Sequence, residues 1–187
     1  GPPRADTLSI MGLHQRVYAA MRACEAFSGS ELNLEGVARS PHDAARLVLV
    51  QRGNGASNDR GLAPRDATAE ISLPALLAHL RDPEGAPAPS LERVVAYALG
   101  AIEDARLTFT DAVSAHGALF FLAAAEASPN AVDDGPVRGV ALGVFAPEGS
   151  PGPARWARIY DARGAPVLDK AERSEEHTSE LQSLAYL

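Results

Sequence analysis

The run GALFFLAAA at residues 117–125 carries no polar side chain on any face. A segment of that kind cannot turn one side to water, so the element it forms must sit inside the fold. A membrane is not the alternative: the apolar stretch GALFFLAAAEA spans 11 residues, against about 20 for a helical crossing. Thr110 and Asp111 stand ahead of it as helix openers, and the segment is predicted to be a central, fully buried helix.

The other elements are arranged around that expectation. From Ser9 to Phe27, Ile10, Leu13, Val17, Met21 and Cys24 recur with a 3.6-residue period opposite Gln15, Arg22 and Glu25, which predicts an amphipathic helix. ELNLEGV alternates Leu32 and Leu34 with polar neighbours and reads as a short strand. In SPHDAARLVLVQRG, Ser40, Pro41 and Asp43 form a capping pattern and Gly53 a stop, which favours a helix; the competing reading makes RLVLVQR a strand, because Val48 and Val50 are β-branched. GNGASNDRGLAPRD is loop by composition. Ser72 caps a helix with Leu73, Leu76, Leu77 and Leu80 on one face, and residues 83–89 form a Pro/Ala hinge. Ser90 caps a further helix bearing Leu91, Val94, Val95, Ala98 and Ile102.

After SPNAVDDGP, where Asp133-Asp134-Gly135 reads as a turn, the period changes to two. VRGVALGVFA and ARWARIY read as strands, and DARGAPVLD as a hairpin with Asp161 opening the turn and Gly164 at positive φ. No internal repeat is evident. Helices segregated before strands predict an α+β fold: four to five helices followed by a small antiparallel sheet that ends in a β-hairpin.

Composition sets limits on function. A net charge of −7 argues against nonspecific binding to nucleic-acid phosphates. Basic residues are 16 Arg against the single Lys170, a usage that GC-rich codons produce, which points to a bacterial high-GC genome. Cys24 stands alone, so neither an intramolecular disulfide nor a Cys-based metal site is available. The start GPPRADTLS lacks the basic and apolar halves of a signal peptide, and the reading is a cytoplasmic chain without a membrane span.

Residues 173–187 differ in vocabulary from the rest. RSEEHTSELQS resembles, codon for codon, the translation of a common sequencing-library adapter, and Leu184, Ala185, Tyr186 and Leu187 fit its index and continuation. The alternative is a genuine acidic helix carrying Glu175, Glu176 and Glu180. Under the adapter reading, residues 1–172 are a single α+β domain truncated at both ends, and 173–187 are an artefactual tail.

Candidate chemistry is sparse. His42-Asp43, with His14 upstream, resembles the paired ligands of HD-type metal phosphohydrolases, although the likeness covers a dipeptide and Asp43 also has a capping role. RLVLVQRGNG resembles the opening strand of Nudix hydrolases, but Glu70, Glu84 and Glu92 are scattered where that family needs clustered glutamates. Gly53-x-Gly55 lacks the following apolar helix of a phosphate cradle. His116, beside Asp111 and Ser114, is either a general base or a hydrogen-bonded core histidine. On the strand ARWARIY, Trp156, Arg158 and Tyr160 share one face, which is either a partner or ligand surface or, the favoured reading, core packing of the two aromatics with Arg158 at the edge.

These observations lead to an expectation of a non-enzymatic sensory or interaction domain, a fragment of a longer bacterial protein. The alternative is a hydrolase or transferase fragment using His116 or His42 with acidic neighbours such as Asp43. No cofactor and no metal site is expected.

Overall fold

The computed structural model describes residues 15–127, 135–146 and 154–169. Two helical pieces, α1 (15–23) and α2 (Glu25–Ser28), precede β1 (Leu34–Arg39), β2 (Arg46–Gln51) and β3 (Asp66–Ser72). Then come α3 (Leu73–Arg81), β4 (Glu92–Tyr97) and a two-residue β5 (Ala101–Ile102). The chain continues through β6 (Ala105–Ala115), β7 (Ala118–Glu126), β8 (Val137–Val144) and β9 (Arg155–Arg158). The part of the first predicted helix before residue 15, His14, the turn at Asp133-Asp134 and the tail 173–187 lie outside the described residues.

The expected α+β order of helices followed by a small sheet is overturned, because strands dominate and begin at Leu34. Three predicted helices are strands, each for an identifiable reason. The Ser40-Pro41-Asp43 cap closes a turn instead: the His42 N–H donates to Ser40 Oγ at 3.4 Å and the Ala45 N–H to Asp43 Oδ1 at 2.8 Å. Side chains that cap helices serve tight turns by the same bond to backbone. Arg46–Gln51 then runs as β2, the competing reading. The segment after Ser90 forms β4, whose Val94 and Val95 suit an extended chain.

The apolar run 117–125 falls on the middle strand β7, with β6 and β8 on its two sides; Leu119, Phe121 and Ala123 on one face are buried, and Phe120 and Leu122 on the other are half-buried. A strand with apolar residues on both faces loses its two-residue alternation and looks like a buried helix in sequence. It joins β6 through a two-residue turn, His116-Gly117, with φ of 50° and 74°.

Other expectations hold. Ser72 accepts the Ala75 N–H at 3.2 Å and starts α3. The stripe Val17, Met21 and Cys24 faces inward. Asp161 Oδ1 accepts the N–H groups of Arg163 and Ala165, both at 2.8 Å, and Gly164 has φ 79° in the predicted hairpin turn. Residues 83–89 connect α3 to β4 within the first sheet.

Both sheets are antiparallel meanders in chain order, β1-β2-β3-β4 and β5-β6-β7-β8-β9. They stack over a core of Ala38, Val48 and Val50 from the first sheet and Leu107, Phe109, Phe121 and Phe145 from the second. Tyr97 and three phenylalanines interlock there with ring centroids 4.8–5.5 Å apart. Gly36 lets β1 approach β6, because a Cβ there would lie 2.9 Å from the Ala112 nitrogen. Gly143 likewise makes room for the Phe121 ring, 2.1 Å from where its Cβ would stand. A second apolar cluster seats Met21 and Phe27 on Leu49, Ala69 and Ile71, so α1 and α2 cover the outer face of the first sheet.

Although the sequence has no visible repeat, the two sheets repeat in register. The strands β1 and β6 each carry one irregularity opposite the strand that follows, between Leu34 and Gly36 in β1 and between Phe109 and Asp111 in β6. Beyond it the pairs Gly36↔Val50 and Ala38↔Val48 correspond to Asp111↔Leu122 and Val113↔Phe120.

Candidate functional site

At one end of the sheets, the loop after β2, the start of β6 and the end of β7 enclose a cleft of about 270 Å³. Its walls are the Gly53-Asn54-Gly55 loop, Asp104, Arg106, Thr108 and Glu126. The fold delivers these residues for separate reasons. Gly53 sits so close to Arg65 that a Cβ would meet its carbonyl carbon at 2.5 Å, so the loop leaves the sheet against β3. Asp104 lies on the tight β5–β6 turn, where the preceding Glu103 has φ 56°.

The charges around the cleft are held by one another. Arg52, whose side chain is 3% exposed, extends from the end of β2 to Glu126, also 3% exposed, with Nη2 2.8 Å from Oε1. That contact is an ion pair by distance, with the N–H off the line to the oxygen. Arg52 Nε donates to Thr108 Oγ1 at 3.1 Å and Nη1 lies 3.4 Å from Glu35 Oε1. Since Glu126 and Thr108 belong to the second sheet and Arg52 to the first, this network ties the two sheets beneath the cleft.

Asp66 is a second anchor. Its Oδ1 accepts the N–H groups of Gly53 and Phe109, both at 3.1 Å, and its Oδ2 takes Arg106 Nη2 at 2.7 Å. Burial pushes its carboxyl above the usual range, although the Gly53 N–H, Arg106 and the Phe109 N–H all act in the opposite direction. On the outer rim Arg138 Nε approaches Asp104 at 3.5 Å, and Arg158 approaches Glu103 at 3.6 Å. Arg52, Arg106 and Arg138 thus face Glu35, Asp66, Asp104 and Glu126, three positive groups against four negative ones.

Residues singled out in the sequence lie elsewhere. His42 is exposed in the β1–β2 turn, and Asp43 serves that turn while standing 3.6 Å from Arg46. His116 is exposed at the tip of the β6–β7 turn, where it is neither packed in the core nor joined to Asp111 and Ser114 as a unit. Asp111 Oδ1 accepts the Ala112 N–H at 2.7 Å, and the Ser114 hydroxyl donates to the Arg39 carbonyl. That last bond places the turns carrying His42 and His116 at the same end of the stacked sheets.

Of the three residues singled out on ARWARIY, Trp156 packs on the core and donates its indole N–H to the Leu99 carbonyl at 2.8 Å, while the Arg158 guanidinium lies 6.0 Å from the centre of the exposed Tyr160 ring. Among the described residues no group of three or more His, Cys, Asp or Glu side chains is placed to hold a metal ion. No helix among them is long and apolar enough to cross a membrane.

Sequence reasoning missed Arg52, Asp66, Arg106 and Glu126. They are 14, 40 and 20 positions apart in succession, so no local motif joins them. The available signal was a lone arginine closing the apolar run LVLVQR just before a glycine loop. No curated protein and no solved structure matches the chain. A family model does match, over residues 5–178, and the chain belongs to that family, a family of unknown function (DUF6910).

Proposed function

We propose that the chain is a non-enzymatic interaction domain whose cleft recognises a small polar group on a partner or ligand. The observation that carries this reading is the mutual pairing of the cleft's charges. Arg52 with Glu126, and Arg106 with Asp66, are fixed in place, and a charge held this way is a poor proton carrier but a rigid hydrogen-bonding wall. The backbone of Gly53-Asn54-Gly55 and the Thr108 hydroxyl complete that wall. The slight excess of carboxylates favours a ligand bearing an ammonium or amide group over an anion. A volume of about 270 Å³ suits a single amino-acid-sized group. Cys24, a single free thiol, agrees with work in a reducing compartment such as the cytoplasm.

The hydrolase or transferase reading draws no support from His42 and His116, which stand on exposed turns outside this cleft. Two assays separate the readings. With lysine and ethanolamine as probes at millimolar concentration, amide NMR signals of Gly53, Gly55 and Glu126 are expected to shift saturably, and acetate to leave them in place. Turnover of p-nitrophenyl acetate or p-nitrophenyl phosphate that His116→Ala or His42→Ala abolishes would overturn the proposal, as would the absence of any saturable shift.

A further inference from the structure

Both faces of the second sheet carry large apolar side chains, and only one is covered by the first sheet. Its inner face carries Leu119, Phe121, Ala123 and Ala141 into the shared core. Its outer face, read from the pairings, carries Val113, Phe120, Leu122, Leu142 and Val144, with Asp111 and Arg155 beside them. Leu142 in the middle of that face is 50% exposed. A sheet with two apolar faces belongs in the middle of a stack.

The register says what kind of stack. Counted from the irregularity in β1 and from that in β6, Ala38, Val48 and Val50 of the first sheet correspond to Val113, Phe120 and Leu122 of the second. The former three are the residues by which the first sheet meets the second. The latter three lie on the second sheet's outer face. Likewise Leu49, on the outer face of the first sheet, corresponds to Phe121 on the inner face of the second. The sheets are therefore stacked head to tail, not face to face, and each presents to the next in sequence the same surface. A head-to-tail contact leaves an equivalent surface open on the last member for the next.

We propose that the outer face of the second sheet docks a further antiparallel meander of the same polypeptide, in the head-to-tail order by which the second sheet covers the first. The occupant follows from continuity with the existing interface: the face of the first sheet that corresponds to this one is covered by the meander that follows it in sequence. A second copy of the chain does not fit this role. The surface it would have to offer, the outer face of its own first sheet, is occupied by Met21 and Phe27 of the helices.

Cysteine accessibility tests this in two proteins: the chain of 187 residues, and a longer product of the same locus that carries further sequence. In a Cys24→Ser background, Leu142→Cys reports on the face, and Leu168→Cys, at a site 54% exposed and off the stack, is the control. The 187-residue chain is expected to be monomeric and Leu142→Cys to react with a maleimide about as fast as the control. In the longer protein Leu142→Cys is expected to react at least tenfold more slowly, with the control unchanged. Equal reactivity at both sites in the longer protein overturns the proposal. So does a locus that encodes no further strands, or a dimer of the 187-residue chain that Leu142→Asp dissociates, which would make a second copy the occupant.

Discussion

Asp66 illustrates how a single buried carboxylate can be both costly and indispensable. Its two backbone N–H partners come from different sheets, Gly53 after β2 and Phe109 in β6, so Oδ1 joins the sheets at one atom. Asp66→Ala strands both buried donors and is expected to cost about 3–5 kcal/mol, at roughly 1–3 kcal/mol for each orphaned group. Asp66→Asn keeps an oxygen for both donors and loses only the pair with Arg106, which is 47% exposed, so its cost is expected within about 1 kcal/mol. Because burial raises the Asp66 carboxyl in the folded state, the folded protein holds that proton more tightly than the unfolded chain does. Its unfavourable contribution is fully present above the raised value and shrinks as pH falls toward the ordinary carboxylate range. Urea denaturation across that window should show the wild type gaining on Asp66→Asn as pH falls; a gap that widens in favour of Asn would refute the assignment. Arg52 follows the same logic without titration. Arg52→Ala leaves Glu126 buried without its cation and should cost about 3–5 kcal/mol, while Arg52→Met with Glu126→Leu together should return to within about 2 kcal/mol of wild type. A double-mutant cycle measures the difference.

At the level of elements, the turn between β6 and β7 separates a structural role for His116 from a chemical one. Both central residues have positive φ, a conformation that Asn and Gly accept and that most other residues resist by about 1–2 kcal/mol. His116→Asn is therefore expected to stabilise the protein by up to about 1 kcal/mol, seen as a raised Tm, whereas a histidine held by a catalytic network would lose stability on replacement. This turn also shows what could be read from sequence. Where local chemistry alone decides, the reading succeeds: the Ser72 cap, the Asp161–Gly164 turn and the two-residue period after residue 136 are all present in the fold. It fails where long-range pairing decides. Ala and Leu around residue 120 have high helix propensity, but pairing on both edges and burial of Leu119, Phe121 and Ala123 in the shared core outweigh it. Ser40 and Asp43 can cap a helix or close a turn, and pairing of β2 with both β1 and β3 selects the turn. The cleft was illegible for a related reason, since Arg52, Asp66, Arg106 and Glu126 become neighbours only once both sheets have formed.

For the whole molecule, the consequence of that dependence is cooperativity. Neither sheet has a private core on the side where they meet: Val48 and Val50 rest on Phe109, Phe121 and Phe145, and Tyr97 from the first sheet has its ring 5.5 Å from Phe109. The buried ties run the same way, Arg52 to Thr108 and Glu126, and Asp66 to Phe109. Removing one sheet would expose the aromatic core and orphan several buried polar groups at once, a cost beyond the stability of an ordinary domain. Two signals in this chain report on different sheets. Trp156, the single tryptophan, sits on β9, whereas the helices among the described residues, α1 to α3, lie beside the first sheet and contribute to the signal at 222 nm. Thermal or urea unfolding followed by tryptophan fluorescence and by far-UV circular dichroism is expected to give one midpoint and one slope. Val50→Asp, which places a charge in the shared core from the first sheet alone, should lower both midpoints by the same amount. If the circular dichroism moved while the Trp156 transition stayed in place, the sheets would be separate folding units, and the interface inferred to propagate from one sheet to the next would carry too little energy to do so.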